Sequence, residues 1–231
     1  MADFDQAWRK KLRNSLASNI DRATLSLVFP EKDAALLAVE NDPVEWTQKV
    51  ITRLEELKHL DKTFDSGKIH DIITACACQY PREPLQPIRD YYQSTKNLAG
   101  THRMVQDLFR KDIKPTKNLT DKEIDKILSK GWGLAGTLHS DRIIATKIPK
   151  EYHQYFKETD EWMKRYRYCH CPRVRESLRK GIPELNSTYC LCGAGFYRGL
   201  WEYLLNSPVR VKVLKSVLKG DNVCQIEIKI K

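Results

Sequence analysis

The sequence predicts an α+β fold, a helical N-terminal half followed by a β-α-α-β-β unit with a small antiparallel sheet. Up to Gly131, apolar residues recur every three or four positions, the period of amphipathic helices. From Glu161 the texture shifts toward alternation. The chain then closes on two β-rich runs joined by Lys219-Gly220-Asp221-Asn222, a hairpin signal. Residues 1–135 are thus expected to form a mainly helical region, and 136–231 an α+β, cysteine-rich ligand- or metal-binding region, with one continuous domain as the alternative. At 231 residues, 41% of them hydrophobic, the chain can bury a sizeable core.

The elements follow in order. Phe4, Trp8, Leu12 and Leu16 are spaced by four and predict a helix over 4–17. The apolar run 23–29, stopped by Pro30, fits helix or strand. Asp42 is a good N-cap, Pro43 suits the first helical position and Glu45 completes a capping-box pattern. Trp46, Val50, Ile51, Leu54 and Leu57 form the stripe of that helix. A further helix runs from about Lys68 toward Cys76 and ends near Tyr80, because Pro81 disfavours helix in the residue before it. Residues 88–92 and 100–110 also read as helical. Thr120 with Glu123 is a second capping box, flanked by a Leu119–Ile124 hydrophobic staple, and its helix closes at Gly131.

Residues 131–136 match G-x-G-x-x-G by letter, but the dinucleotide fingerprint needs a strand before it. A helix precedes this stretch, so it reads as a connector. Trp162, Tyr166 and Tyr168 alternate with Arg165 and Arg167, which predicts a strand ending at Cys169 and Cys171. Helices are expected over 173–180, stopped by Gly181, and over 196–205. In the last strand Cys224, Ile226, Ile228 and Ile230 share one face, which points Cys224 inward.

Net charge is +10. Residues 161–231 hold fourteen Lys or Arg against six Asp or Glu, so the excess belongs mostly to the C-terminal third. Such charge attracts an anionic ligand or nucleic acid, though here it alternates with apolar residues as on an ordinary basic surface. The start of the chain has no apolar signal-like stretch and no run reaches the ~18 apolar residues of a membrane span, so the expected location is the cytoplasm, with no membrane partner.

Six of the seven cysteines stand in Cys-x-Cys pairs: Cys76 and Cys78, Cys169 and Cys171, Cys190 and Cys192. In a reducing compartment such pairs point to metal or redox chemistry more than to disulfides. Two pairs supply four thiolates, a tetrahedral zinc site; an iron–sulfur cluster is the alternative cofactor. Joint chelation needs loop or strand geometry, since residues one apart diverge on a helix. His170, inside one pair, is a further candidate ligand. A catalytic cysteine is a competing reading. His102, His139 and His170 are available to activate one, and Arg82, Arg173 and Arg198 to lower a thiol pKa, but nothing in the spacing selects among them. Glu202 lies one helical turn from Arg198 and is expected to pair with it.

Several motifs carry a resemblance: Cys171-Pro172, Gly181-Ile182-Pro183-Glu184-Leu185, Tyr189-Cys190, Ala194-Gly195-Phe196-Tyr197 and the stretch from Leu218 to Ile228. The last ~70 residues resemble the C-terminal region of the L-2-amino-thiazoline-4-carboxylic acid hydrolase-like proteins, and also the 4-vinyl reductase small-molecule-binding domain. The resemblance implies a ligand pocket near which Cys171, Cys190 and Cys224 converge, and hydrolysis of a small C–N or C–S heterocycle. Cys192 stands where the hydrolase pattern has an acidic residue, a departure that favours thiolate–metal binding over hydrolysis. The expected function is thus a small-molecule-binding or metal-assisted hydrolase-like protein with an anionic ligand and zinc on Cys76, Cys78, Cys169, Cys171, Cys190 and Cys192. The alternatives are an iron–sulfur or thiol redox protein and, ranked last, a nucleic-acid-binding module using Arg165, Tyr166, Arg167 and Tyr168.

Overall fold

A computed structural model describes residues 2–29, 33–61, 63–180 and 185–230. The fold is α+β, with a helical N-terminal half and an antiparallel sheet built from the C-terminal part. The first half holds α1 (Ala2–Asn19), α2 (Arg22–Val28), α3 (Ala34–Leu37), α4 (Pro43–Leu60), α5 (Ser66–Ala75), α6 (Gln86–Thr95), α7 (Leu98–Lys117) and α8 (Asp121–Ser129). The second holds β1 (Thr137–Leu138), β2 (Arg142–Thr146), α9 (Tyr152–Lys157), α10 (Glu161–Tyr168), α11 (Pro172–Arg179), α12 (Leu191–Leu205), β3 (Arg210–Lys215) and β4 (Gln225–Lys229).

The predicted caps form. Asp42 accepts from the Val44 and Glu45 amides, and the Thr120–Glu123 box is reciprocal. The undecided run over 23–29 is helical, because Asp21 caps it through the Ala23 and Thr24 amides. The stops assigned to Pro30 and Gly181 lie outside the described residues. At 131–136 the connector is confirmed. Gly131, Gly133 and Gly136 all have positive φ, and a Cβ on Gly133 would fall on the Phe109 ring.

The strand expected over 162–168 is instead α10. Asp160 caps it by accepting from the Met163 amide at 2.7 Å. Trp162 and Tyr166, one turn apart, pack together against the core, an arrangement that period-two counting missed. The α+β unit opens earlier, with the short β1 and then β2. The sheet order is β1-β2-β4-β3, antiparallel throughout. The predicted terminal hairpin is β3 and β4, joined through a 3-10 turn at Val217–Lys219. Its register breaks between Val213 and Lys215, a bulge at the edge of the cavity described below.

Two apolar clusters form the core, and each draws on both halves of the chain. The first joins Trp8, Leu12, Val50, Leu54 and Ile72 to Tyr168, Val174 and Tyr189. The second joins Val105, Phe109 and Ile124 to Trp201, Ile226 and Ile228. Helices α5 and α12 touch backbone to side: a Cβ on Gly195 would fall on the Thr74 carbonyl, so only glycine permits the approach. His102 is a core residue, bonded to the Gly136 carbonyl and stacked on Trp201.

Candidate functional site

Between the sheet and the surrounding helices lies a cavity of about 450 Å³, within the range of small-molecule sites. The sequence builds it where elements end. The α10–α11 junction brings Cys169 and Cys171, the start of α12 brings Cys190 and Cys192, the chain before β4 brings Cys224, and the chain after α5 brings Cys78. Apolar walls come from Phe109, Ile113, Phe196, Val213 and Ile226.

Cys169 and Cys171 take extended conformations at the C-cap of α10 and the N-cap of α11, the geometry that joint action of the pair requires. Cys190 and Cys192 do not: Cys190 closes a 3-10 turn and Cys192 lies in the first turn of α12. The upstream pair divides. Cys76 is buried and its thiol donates to the Ile72 carbonyl at 3.2 Å, whereas Cys78 is exposed at the cavity. Cys224 points into the cavity on the side shared with Ile226, as its strand pattern predicts. All seven cysteines are free thiols.

The cavity floor is pinned by one phenol. Tyr168, 1% exposed, donates from its hydroxyl to the Lys147 carbonyl at 2.6 Å and accepts from the Cys224 amide at 2.8 Å. This ties the end of β2 to the start of β4. Ser216, fully buried, donates to the Cys190 sulfur at 2.8 Å. The ring of His170 bonds the Ile148 carbonyl through Nε2 at 2.8 Å.

Burial governs the thiols. It pushes Cys190 and Cys192 up to about 12, assisted by the neighbouring Cys224 and Cys171 respectively. Burial likewise raises Cys169, Cys224 and Cys76. These five are neutral thiols near pH 7. Among the described residues, no group of three or more His, Cys, Asp or Glu side chains is gathered closely enough to hold a metal ion. The geometry offers thiols singly to the cavity, not as a closed chelate. Zinc or an iron–sulfur cluster would take them only after they draw together and lose protons.

Lys147, the exposed Lys215 and the carboxylate Asp112 also line this space, and Lys147 is the charge held against its aromatic wall. Lys147 Nζ lies 5.3 Å from the Phe196 ring centroid and 6.0 Å from that of Tyr197, and it forms no ion pair among the described residues. A Cβ on Gly193 would stand 3.5 Å from the same ammonium and meet nothing else. Sequence reading missed Lys147. Its only signal is a position just past a strand that the pattern did not reveal.

Of the proposed activators, Arg198 pairs with Glu202 at 3.0 Å, as its helical spacing predicts, and with Asp71 at 2.9 Å. Arg82 lies over the Tyr203 ring. Arg173 alone among the three arginines bonds a cavity-lining side chain, Tyr189, whose hydroxyl lies beside Cys171. Of the residues named for a single-strand platform, Tyr168 is buried, Arg167 pairs with Glu151 and Glu158, and Arg175 covers the Tyr166 ring.

No helix among the described residues is long and apolar enough to cross a membrane. No curated protein and no solved structure shows significant similarity to the chain. Residues 142–231, which contribute Lys147 and five of the cavity cysteines, match the model of a family of unknown function, DUF6144.

Proposed function

We propose that the chain is a small-molecule-binding protein whose ligand has an apolar body and one anionic group. The observation that carries this reading is the 450 Å³ cavity with the Lys147 ammonium inside it. An ammonium held against apolar walls without a carboxylate partner favours a ligand that supplies the negative charge. The aromatic and aliphatic walls supply the rest of the affinity by excluding water from the ligand body. Small heterocyclic acids, the ligand class implied by the hydrolase-like resemblance, combine these two features.

Naphthalene-2-carboxylate and its neutral carboxamide, compared by thermal shift, test the proposal. The carboxylate raises the melting temperature of the wild-type protein more than the amide does. In Lys147→Gln the two compounds act alike. Equal stabilisation of the wild-type protein by acid and amide, or by neither, contradicts the reading.

A further inference from the structure

A second cavity, of about 320 Å³, is lined by α8, α9 and the turn that follows α8, and it shares no lining residue with the first. Its wall is aromatic. Trp132 and Phe156 stack with ring centroids 6.0 Å apart and planes 19° from parallel, and Tyr152 meets Phe156 edge-on at 4.9 Å. Phe156 is nevertheless 53% exposed, the one exposed Phe, Tyr or Trp among the described residues. An exposed ring within a prepared stack is a platform for another flat ring. The turn positions Trp132, because Gly131 and Gly133 flank it with positive φ. The amides of Gly131, Trp132 and Gly133 donate to the Leu128, Ile127 and Thr146 carbonyls at 2.9, 3.1 and 2.8 Å, so the glycine-rich stretch fixes the ring instead of cradling a phosphate.

The rim is cationic. Lys126, Lys130 and Lys157, all exposed, line the cavity, and none has a carboxylate partner among the described residues. The carboxylates of α8 are engaged elsewhere. Asp121 pairs with Lys114, Asp125 with Arg110, and Glu123 accepts from the Thr120 amide and hydroxyl at 2.8 Å. Glu123 is the one carboxylate that lines the cavity; His153, also in its lining, bonds the Lys117 carbonyl through Nε2 at 3.0 Å. Lys126 and Lys157 stand in the last turns of α8 and α9, whose carbonyl ends balance part of their charge. Three ammonium groups against one carboxylate leave a positive excess, and lysine meets phosphate as a point charge.

We propose that this second cavity binds a nucleotide, its base stacked on Phe156 beside Trp132 and its phosphate held among Lys126, Lys130 and Lys157. The two halves of such a ligand need each other. Exposed lysines hold a free phosphate weakly against salt, and one exposed ring holds a free base weakly against water. A carboxylate carries a single charge at pH 7, whereas a phosphate monoester carries about −1.5 to −2, the better match for three cations. The site is separate from the ligand site at Lys147, and neither depends on the other.

Titration calorimetry of the full chain at low ionic strength, with the four ribonucleoside 5′-monophosphates, the matching nucleosides and inorganic phosphate, tests the proposal. At least one monophosphate is expected to bind about tenfold or more tighter than its nucleoside or phosphate alone. Phe156→Ala removes the platform from an exposed position, and Lys126→Gln combined with Lys130→Gln removes charge from the rim. Each is expected to weaken that nucleotide about tenfold in a protein that melting curves show to be folded. Lys147→Gln is expected to leave nucleotide affinity unchanged. Absence of binding by all four monophosphates overturns the inference, as does binding no tighter than that of phosphate. So does affinity lost in Lys147→Gln but kept in the platform and rim variants, which would put the nucleotide in the first cavity. Binding of a single-stranded oligonucleotide without any mononucleotide also overturns it. Failure of naphthalene-2-carboxylate to bind would leave a positive result standing.

Discussion

At the scale of single residues, three buried hydroxyls determine what the cavity thiols can do. Ser216 donates to Cys190, the Tyr189 hydroxyl lies 3.3 Å from the Cys171 sulfur, and Tyr168 stitches Lys147 to Cys224. The cysteine pairs were legible in the sequence, because repetition of Cys-x-Cys marks them. Their partners were not. Tyr189 lies in a 3-10 turn and Ser216 caps another, positions that follow no period, and the alternation around Tyr168 predicts a strand face where a helix ends. Tyr168→Phe leaves the Lys147 carbonyl and the Cys224 amide without their bond. We expect a loss of about 2 kcal/mol in urea unfolding, the usual cost of stranding buried polar groups. A loss below a few tenths would show that these groups find other partners.

At the scale of elements, the contest between period two and period four decided the fold of residues 161–168. Alternating aromatic and arginine residues satisfy both periods locally. The choice is made by Asp160, which caps a helix, and by Glu151, which no pattern within the segment reveals. Glu151 binds Arg167 from α10 at 3.0 Å and Arg175 from α11, gathering the helices that carry Cys169 and Cys171. Burial alone would raise the Glu151 pKa, but the two guanidiniums outweigh it and hold the carboxyl below the ordinary glutamate range. A depressed carboxyl stabilises the fold above its unfolded pKa of about 4.3, and the contribution is lost as pH falls through the lower folded value. Glu151→Gln is therefore expected to cost about 1 kcal/mol at pH 7, given that the group is partly exposed. The gap to wild type should close as the pH is lowered below about 4. A gap independent of pH would place its origin in packing instead of charge.

At the scale of the whole molecule, the helical half supplies walls as well as stability. Phe4 of α1, Cys78 after α5, and Phe109 and Ile113 of α7 all reach the cavity, while the family match covers only 142–231. The α+β class and most helices were legible because amphipathic stripes and caps are local features. The cavity was not, because it is enclosed by residues from distant parts of the chain that share no spacing. Convergence of Cys171, Cys190 and Cys224 was implied by the resemblance, and the structure brings all three to one cavity. The placement of the ligand beside Lys147 is tested most directly by filling that space. Gly193 sits in α12 with room for a side chain, and its Cβ would meet only the Lys147 ammonium. Titration calorimetry of naphthalene-2-carboxylate into wild-type protein and Gly193→Leu, with melting curves for both, is the decisive measurement. We predict that the variant stays folded and loses binding by at least about tenfold, a change of ~1.4 kcal/mol. Equal affinity in a folded Gly193→Leu would contradict the account.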